Sequence, residues 1–125
     1  MTGRQGARAV GTLGSVVLDC ADPEQLAAFY QQVTGWPVTY RSESYVFIGE
    51  GPVRIGFQRV GGYRSPHWPE AGSRARLDFT VLELGPAVAA LLATGASRPE
   101  QQADAEHGVT LLDPAGHPFR LAVPD

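Results

Sequence analysis

The chain has 125 residues, 43% of them hydrophobic and 18% charged, and a formal net charge of -3. That length suits one domain with its own core, and the mild negative charge gives no electrostatic footing for nucleic acid. A single cysteine, Cys20, excludes an intrachain disulfide and any multi-cysteine metal site.

The opening "MTGRQGARAVGT" reads as a flexible tail over residues 1–12. It lacks the run of about 7 to 15 apolar residues of a secretory leader, and no later stretch approaches the ~18 of a membrane span. A cytoplasmic protein without membrane contact is expected. "LGSVVLDC" (13–20) alternates as a strand, and "ADPEQLAAFYQQV" then starts a helix, with Asp22 as its cap and Pro23 in the first turn. Leu26, Phe29, Tyr30 and Val33 fall on one side of that helix, and Gly35 ends it. "WPVTY", "SYVFIGE" and "PVRIGFQRV" read as three further strands. The Gly- and Pro-rich stretch 61–73 is a linker. The second half repeats the order: strand "ARLDFTVL", a helix from about Gly85 to Ala93, a stop at Gly95, then strands "ASRPE", "GVTLLD" and "PFRLAV" around the turn "DPAGH". Residues 13–125 thus form one α+β domain of two tandem βαβββ modules, 13–60 and 74–125, an internal repeat of about 60 residues.

Alternation assigns faces. Val16, Leu18, Cys20, Val53, Ile55, Phe57, Leu77, Phe79, Val81, Phe119, Leu121 and Val123 should meet the helices, with Phe29 and Trp36 filling the core beside the first of them. The opposite faces carry Ser15, Val17 and Asp19, then Arg54, Gly56 and Gln58, then Arg76, Asp78 and Thr80, then Arg120 and Ala122. Charges at such a density are expensive in a dry core, so these faces should be solvated, paired, or turned to a ligand in a cleft. Within the set, Asp78 either neutralises Arg76 or Arg120, or leaves both guanidiniums to grip an anion. Asp19, if desolvated, is a candidate general base; the alternative is a solvated carboxylate near Arg54. Tyr45, Phe47 and Trp68 offer walls for an aromatic ligand. Cys20, on the helix side, reads as a buried small hydrophobe. His117 reads as a turn residue with Asp113 bonding nearby backbone, His107 as a loop residue, and His67 as surface or lid.

The repeat, together with "VVLDCADPEQLAAFY", "GW", "GFQRV", "WPE", "RLDFTV" and "LLDPAGHPFRL", resembles the vicinal oxygen chelate superfamily in its glyoxalase/bleomycin-resistance branch. The resemblance implies a curved mixed sheet around a central cleft, helices on its outer face, and commonly a homodimer. It also implies that metal-dependent members place His, Glu or Gln ligands at positions that here are Ser15, Gly56 or Gln58, Arg76 and Arg120. A guanidinium has no lone pair to give a metal, so neither a metal site nor a cofactor is expected. The reading is a metal-independent protein binding a small anionic or aromatic molecule through Ser15, Tyr45, Phe47, Gln58, Trp68, Arg76, Asp78 and Arg120. A metal-free isomerase, lyase or cyclase using Asp19 or Asp78 as base is the alternative, and a metal-dependent glyoxalase or dioxygenase the third. Whether the cleft closes within one chain or across a dimer stays open.

Overall fold

A computed structural model describes residues 12–65, 76–102, 105 and 108–124; Trp68, His67, His107 and the tail 1–11 lie outside them. The chain runs β1 (Ser15–Cys20), α1 (Pro23–Thr34), β2 (Val38–Arg41), β3 (Tyr45–Ile48), β4 (Arg54–Arg59), β5 (Leu77–Thr80), α2 (Leu84–Thr94), β6 (Val109–Leu112) and β7 (Pro118–Ala122). The strands form a four-stranded sheet ordered β1-β4-β3-β2 and a three-stranded sheet ordered β5-β7-β6. In each sheet the strand before the helix pairs in parallel with the last strand, Ser15 opposite Arg54 and Leu77 opposite Phe119, while the remaining pairs are antiparallel. The fold is therefore α+β with the same topology used twice.

Local chemistry sets the helix ends. The Asp22 side chain accepts from the Gln25 amide at 3.2 Å, Pro23 opens the helix, and Gly35 closes it at φ 73°, where a glycine avoids the Cβ clash of the left-handed region. The buried face of α1 carries Leu26, Ala27, Phe29 and Tyr30. Tyr30 stacks on Phe57 of the four-stranded sheet at 5.6 Å between centroids and meets Phe119 of the three-stranded sheet at 6.0 Å. One helix thus joins both sheets to a common core. The expected helix-facing residues Cys20, Ile55, Phe57, Phe119 and Leu121 are buried, and Leu18, Leu77, Phe79 and Val81 pack against them.

Three expectations need correction. "ASRPE" is not a strand: Ser97 alone bridges Leu112, because Pro99 has no N–H for a ladder. The Gln102 side chain takes over, its Nε2 donating to the Thr110 carbonyl at 3.0 Å and its Oε1 accepting from the Thr110 amide at 2.9 Å. Trp36 is 36% exposed rather than in the core; it follows the reversal at Gly35, and its ring covers Gly49, where a Cβ would lie 2.9 Å from Cε3. Val123, 48% exposed, falls beyond the end of β7. No helix among the described residues is long and apolar enough to cross a membrane.

Candidate functional site

On the face of the four-stranded sheet turned from α1, register places Asp19, Gln58 and Tyr45 in one row and Val17, Gly56 and Phe47 in the next, with Tyr40 beside Phe47. Tyr45 stacks on Phe47 at 5.8 Å, Tyr40 meets it edge-on at 6.1 Å, and the Arg54 guanidinium lies 4.8 Å from the Phe47 centroid. Gly56 makes this possible: a Cβ there would stand 2.5 Å from the Phe47 ring. The result is a partly open aromatic surface carrying a cation over one ring. Arg54 serves Phe47 and forms no ion pair with Asp19 among the described residues. Asp19 is exposed and lacks the desolvation on which its reading as a base depends.

The three-stranded sheet holds a polar row. Arg120 pairs in register with Asp78 on one side and Thr110 on the other, so the three side chains share a face. Arg76 clasps Asp78 with two hydrogen bonds, Nε to Oδ1 at 2.7 Å and Nη2 to Oδ2 at 3.2 Å; the pairing reading of Asp78 is the observed one. Arg120 is only 3% exposed, and Thr110 is fully buried. The Thr110 hydroxyl has no hydrogen-bond partner among the described residues, an uncommon state for a buried polar atom. Ser15, Asp19, Tyr45, Phe47 and Gln58 therefore sit on one sheet and Arg76, Asp78 and Arg120 on the other. None of the three cavities beside Tyr63, beside His117 and along α2 is lined by both sets.

A polar cluster that sequence reasoning reached only in part centres on Asp113, 3% exposed. Its Oδ1 accepts from the Ala115 and His117 amides at 2.8 and 3.0 Å, as the turn reading anticipates. Its Oδ2 also receives the Tyr30 hydroxyl at 2.7 Å and lies 3.0 Å from His117 Nδ1. The Tyr63 hydroxyl, 3.2 Å from His117 Nε2, donates to the Ala115 carbonyl at 2.7 Å. The signal available in the sequence was Tyr30 on the apolar side of α1, since a buried tyrosine hydroxyl demands a partner. His117 also borders a cavity of about 160 Å³ between Val16, Leu18, Leu77 and Pro118.

Burial pushes the Tyr63 hydroxyl up to about 12, with the charge of Asp113 adding to it, and burial raises Tyr30 well above the usual tyrosine value. In the unfolded chain both ionise near 10, so between about pH 10 and 12 the unfolded state holds fewer protons and stability falls as pH rises. Urea midpoints should begin to fall at about pH 9, where the unfolded Cys20 thiol ionises while the buried one stays protonated up to about 11. They should drop more steeply above about pH 10, with a shallower drop in that range in Tyr63→Phe. An identical alkaline profile in the variant would remove Tyr63 from the account. Cys20, buried, has its thiol raised to about 11, chiefly by burial, which suits the inert hydrophobe expected of it.

The donor set at the places where the resemblance puts metal ligands does not fit a divalent cation. Arg76 and Arg120 offer no lone pair, Gly56 has no side chain, and Ser15 and Gln58 alone fall short of the roughly three protein ligands that a catalytic metal needs. Among the described residues no group of three or more His, Cys, Asp or Glu side chains converges.

Comparison with known proteins agrees with this architecture. Among curated proteins none matches the chain. Solved structures do match. An enzyme of the glyoxalase/bleomycin resistance protein/dioxygenase family from Burkholderia phytofirmans PsJN is 24% identical, with a TM-score of 0.71 over 89% of this chain and 97% of its own. The genomically encoded fosfomycin resistance protein of Listeria monocytogenes, complexed with Mn(II) and a dihydroxypropylphosphonic acid, is 16% identical, with a TM-score of 0.68 over 94% of this chain and 93% of its own. The trypanothione-dependent glyoxalase I of Leishmania major is 16% identical, with a TM-score of 0.64 over 90% and 86%. At these identities the likeness establishes the fold. The family model of the glyoxalase-like domain matches residues 15–122, which hold all of both sheets and both helices, and the chain belongs to that family.

Proposed function

We propose that the protein binds a small organic anion without a protein-bound metal, at the row Thr110, Arg120, Asp78 and Arg76. The observation that carries this reading is the orphaned hydroxyl of Thr110 beside the buried Arg120 guanidinium. A carboxylate or phosphonate oxygen that accepts from the Thr110 hydroxyl satisfies it and gains a charge-assisted bond from the neighbouring guanidinium. Asp78 has its two oxygens taken by Arg76 and so orients a guanidinium rather than abstracting a proton. Tyr45 and Phe47 supply an aromatic wall, with Gln58 beside Tyr45 and Ser15 beside Arg54 on the same face; Trp68, the third aromatic of the expected wall, lies outside the described residues. Because this wall and the anion row belong to different sheets, a homodimer that sets the face of one copy against the row of another completes the site. The buried, unpaired Cys20 fits a cytoplasmic setting.

The test is a thermal-shift and calorimetric titration with benzoate, phenylphosphonate and a panel of divalent metals, since a ligand that binds only the native state raises its midpoint. The organic anions are expected to stabilise and the metals not. Arg120→Gln should weaken anion binding by about tenfold or more. Thr110→Val should weaken it less while leaving the free protein as stable or more so, because the unsatisfied hydroxyl is gone. Stabilisation by manganese, zinc or nickel, or indifference to every anion, overturns the reading.

A further inference from the structure

Helix α2 carries no charged residue from Leu84 to Thr94, yet of its side chains only Val88 and Leu91 are buried. A helix apolar on all sides is normally covered. Here Leu92 is 40% exposed and Leu82, just before the helix, 88%. A groove of about 350 Å³ lies on this surface, walled by Val88, Leu92 and Val109 and floored by the small residues Gly85 and Ala89. Nothing stands within 4 Å of where a Gly85 Cβ would be, so the floor is open rather than filled from elsewhere. Arg98 is the one charged residue that lines it, and no hydrogen bond or ion pair engages its side chain among the described residues. The occupant these features select has an apolar body and a negative end.

We infer that this groove binds an anionic amphiphile, a free aliphatic carboxylate whose chain lies over Ala89 between Val88, Leu92 and Val109 and whose head meets Arg98. A second copy of α2 carries no carboxylate from Leu84 to Thr94 and only Glu83 at its N-cap, so self-association through an Arg98–Glu83 pair is the competing occupant, and the test separates it from the amphiphile. The groove is separate from the anion row, since neither Arg120 nor Arg76 lines it. Apolar contact supplies the affinity, and the guanidinium fixes the direction in which the chain lies.

The experiment is calorimetric titration of the full chain with decanoate, kept below its micelle concentration, and with decanol as the neutral control. Decanoate is expected to bind more tightly than decanol. Arg98→Gln, at an exposed position, should weaken decanoate by about threefold to fivefold, the range of an exposed ion pair, and leave decanol unchanged. Ala89→Phe, which fills the floor, should weaken both by more than about tenfold. Decanol carries no charge for the anion row to hold and so reports the groove alone, while benzoate reports the row. Arg120→Gln should weaken benzoate and leave decanol unchanged, and Ala89→Phe should weaken decanol and leave benzoate unchanged, so this inference and the proposed anion row can fail separately. Unchanged decanoate affinity in both groove variants overturns the inference. So does binding to anionic vesicles without binding to free decanoate, or self-association that Ala89→Phe abolishes in a protein indifferent to decanoate.

Discussion

Replacing Asp113 with alanine is expected to destabilise the protein by about 3–5 kcal/mol, the range for removing one member of a buried charged network. The carboxylate accepts from two backbone amides of its own turn, from the Tyr30 hydroxyl, and pairs with the His117 ring. Without it, each of those groups remains buried or half-buried with an unmet hydrogen bond. Tyr30→Phe removes a single donor from the same cluster and should cost only about 1 kcal/mol. Asp113→Asn, which keeps an acceptor for the turn amides, belongs between the two. Urea denaturation of the three variants gives the ordering directly, and equal losses for Asp113→Ala and Tyr30→Phe would show that the carboxylate is not the hub. Tyr30 is on α1 and Asp113 lies 83 residues later, between β6 and β7. The bond therefore pins the two halves of the repeat together, and its loss should sharpen differences between probes of the two sheets during unfolding.

Gly108→Ala is the second large effect. Gly108 sits at φ 153°, and a Cβ there would stand 2.4 Å from the Leu121 carbonyl oxygen and 3.1 Å from Arg120 Nε. The backbone oxygen belongs to β7 and cannot swing aside as a side-chain tip does. Strain at the positive φ together with the collision should cost about 2–4 kcal/mol. The same displacement moves β6 away from β7 next to the place where Thr110 faces Arg120. The variant should therefore lose organic-anion affinity by at least as much as Arg120→Gln does, even when measured at a temperature where it is fully folded. A Gly108→Ala protein with wild-type stability would mean that the β6 entry tolerates another path. Wild-type anion affinity in a destabilised variant would separate this backbone from the proposed site.

Alternation carried most of the architecture into view. The period of two in "SVVLDC" and "RLDFTV", the Asp22-Pro23 start and the Gly35 stop are local signals, and each is obeyed at its own position. The ion pair of Arg76 with Asp78 was equally readable, because residues two apart on a strand share a face. What the chain order could not display was long-range. Whether Arg120 ends up exposed or 3% exposed depends on what folds over β7, and the reach of Tyr30 to Asp113 depends on how the second half docks against α1. Trp36 misled because its size argued for the core while the turn at Gly35 had already sent the chain outward. The strand expected at "ASRPE" had suitable spacing and the wrong chemistry, with Pro99 in its middle.

The substitution of a side chain for that strand has a further consequence. At the outer edge of β6, Ser97 takes both hydrogen-bonding groups of Leu112, and the Gln102 amide takes both of Thr110. A bare edge of this kind is a template on which a neighbouring molecule can add a strand and start an aggregate. A glutamine amide mimics the peptide it replaces but has no chain beyond it, so it terminates the ladder. The sheet ends there, and the bridge at Ser97 together with the Gln102 amide leaves Thr110 and Leu112 no free group on which edge-to-edge growth from β6 would build.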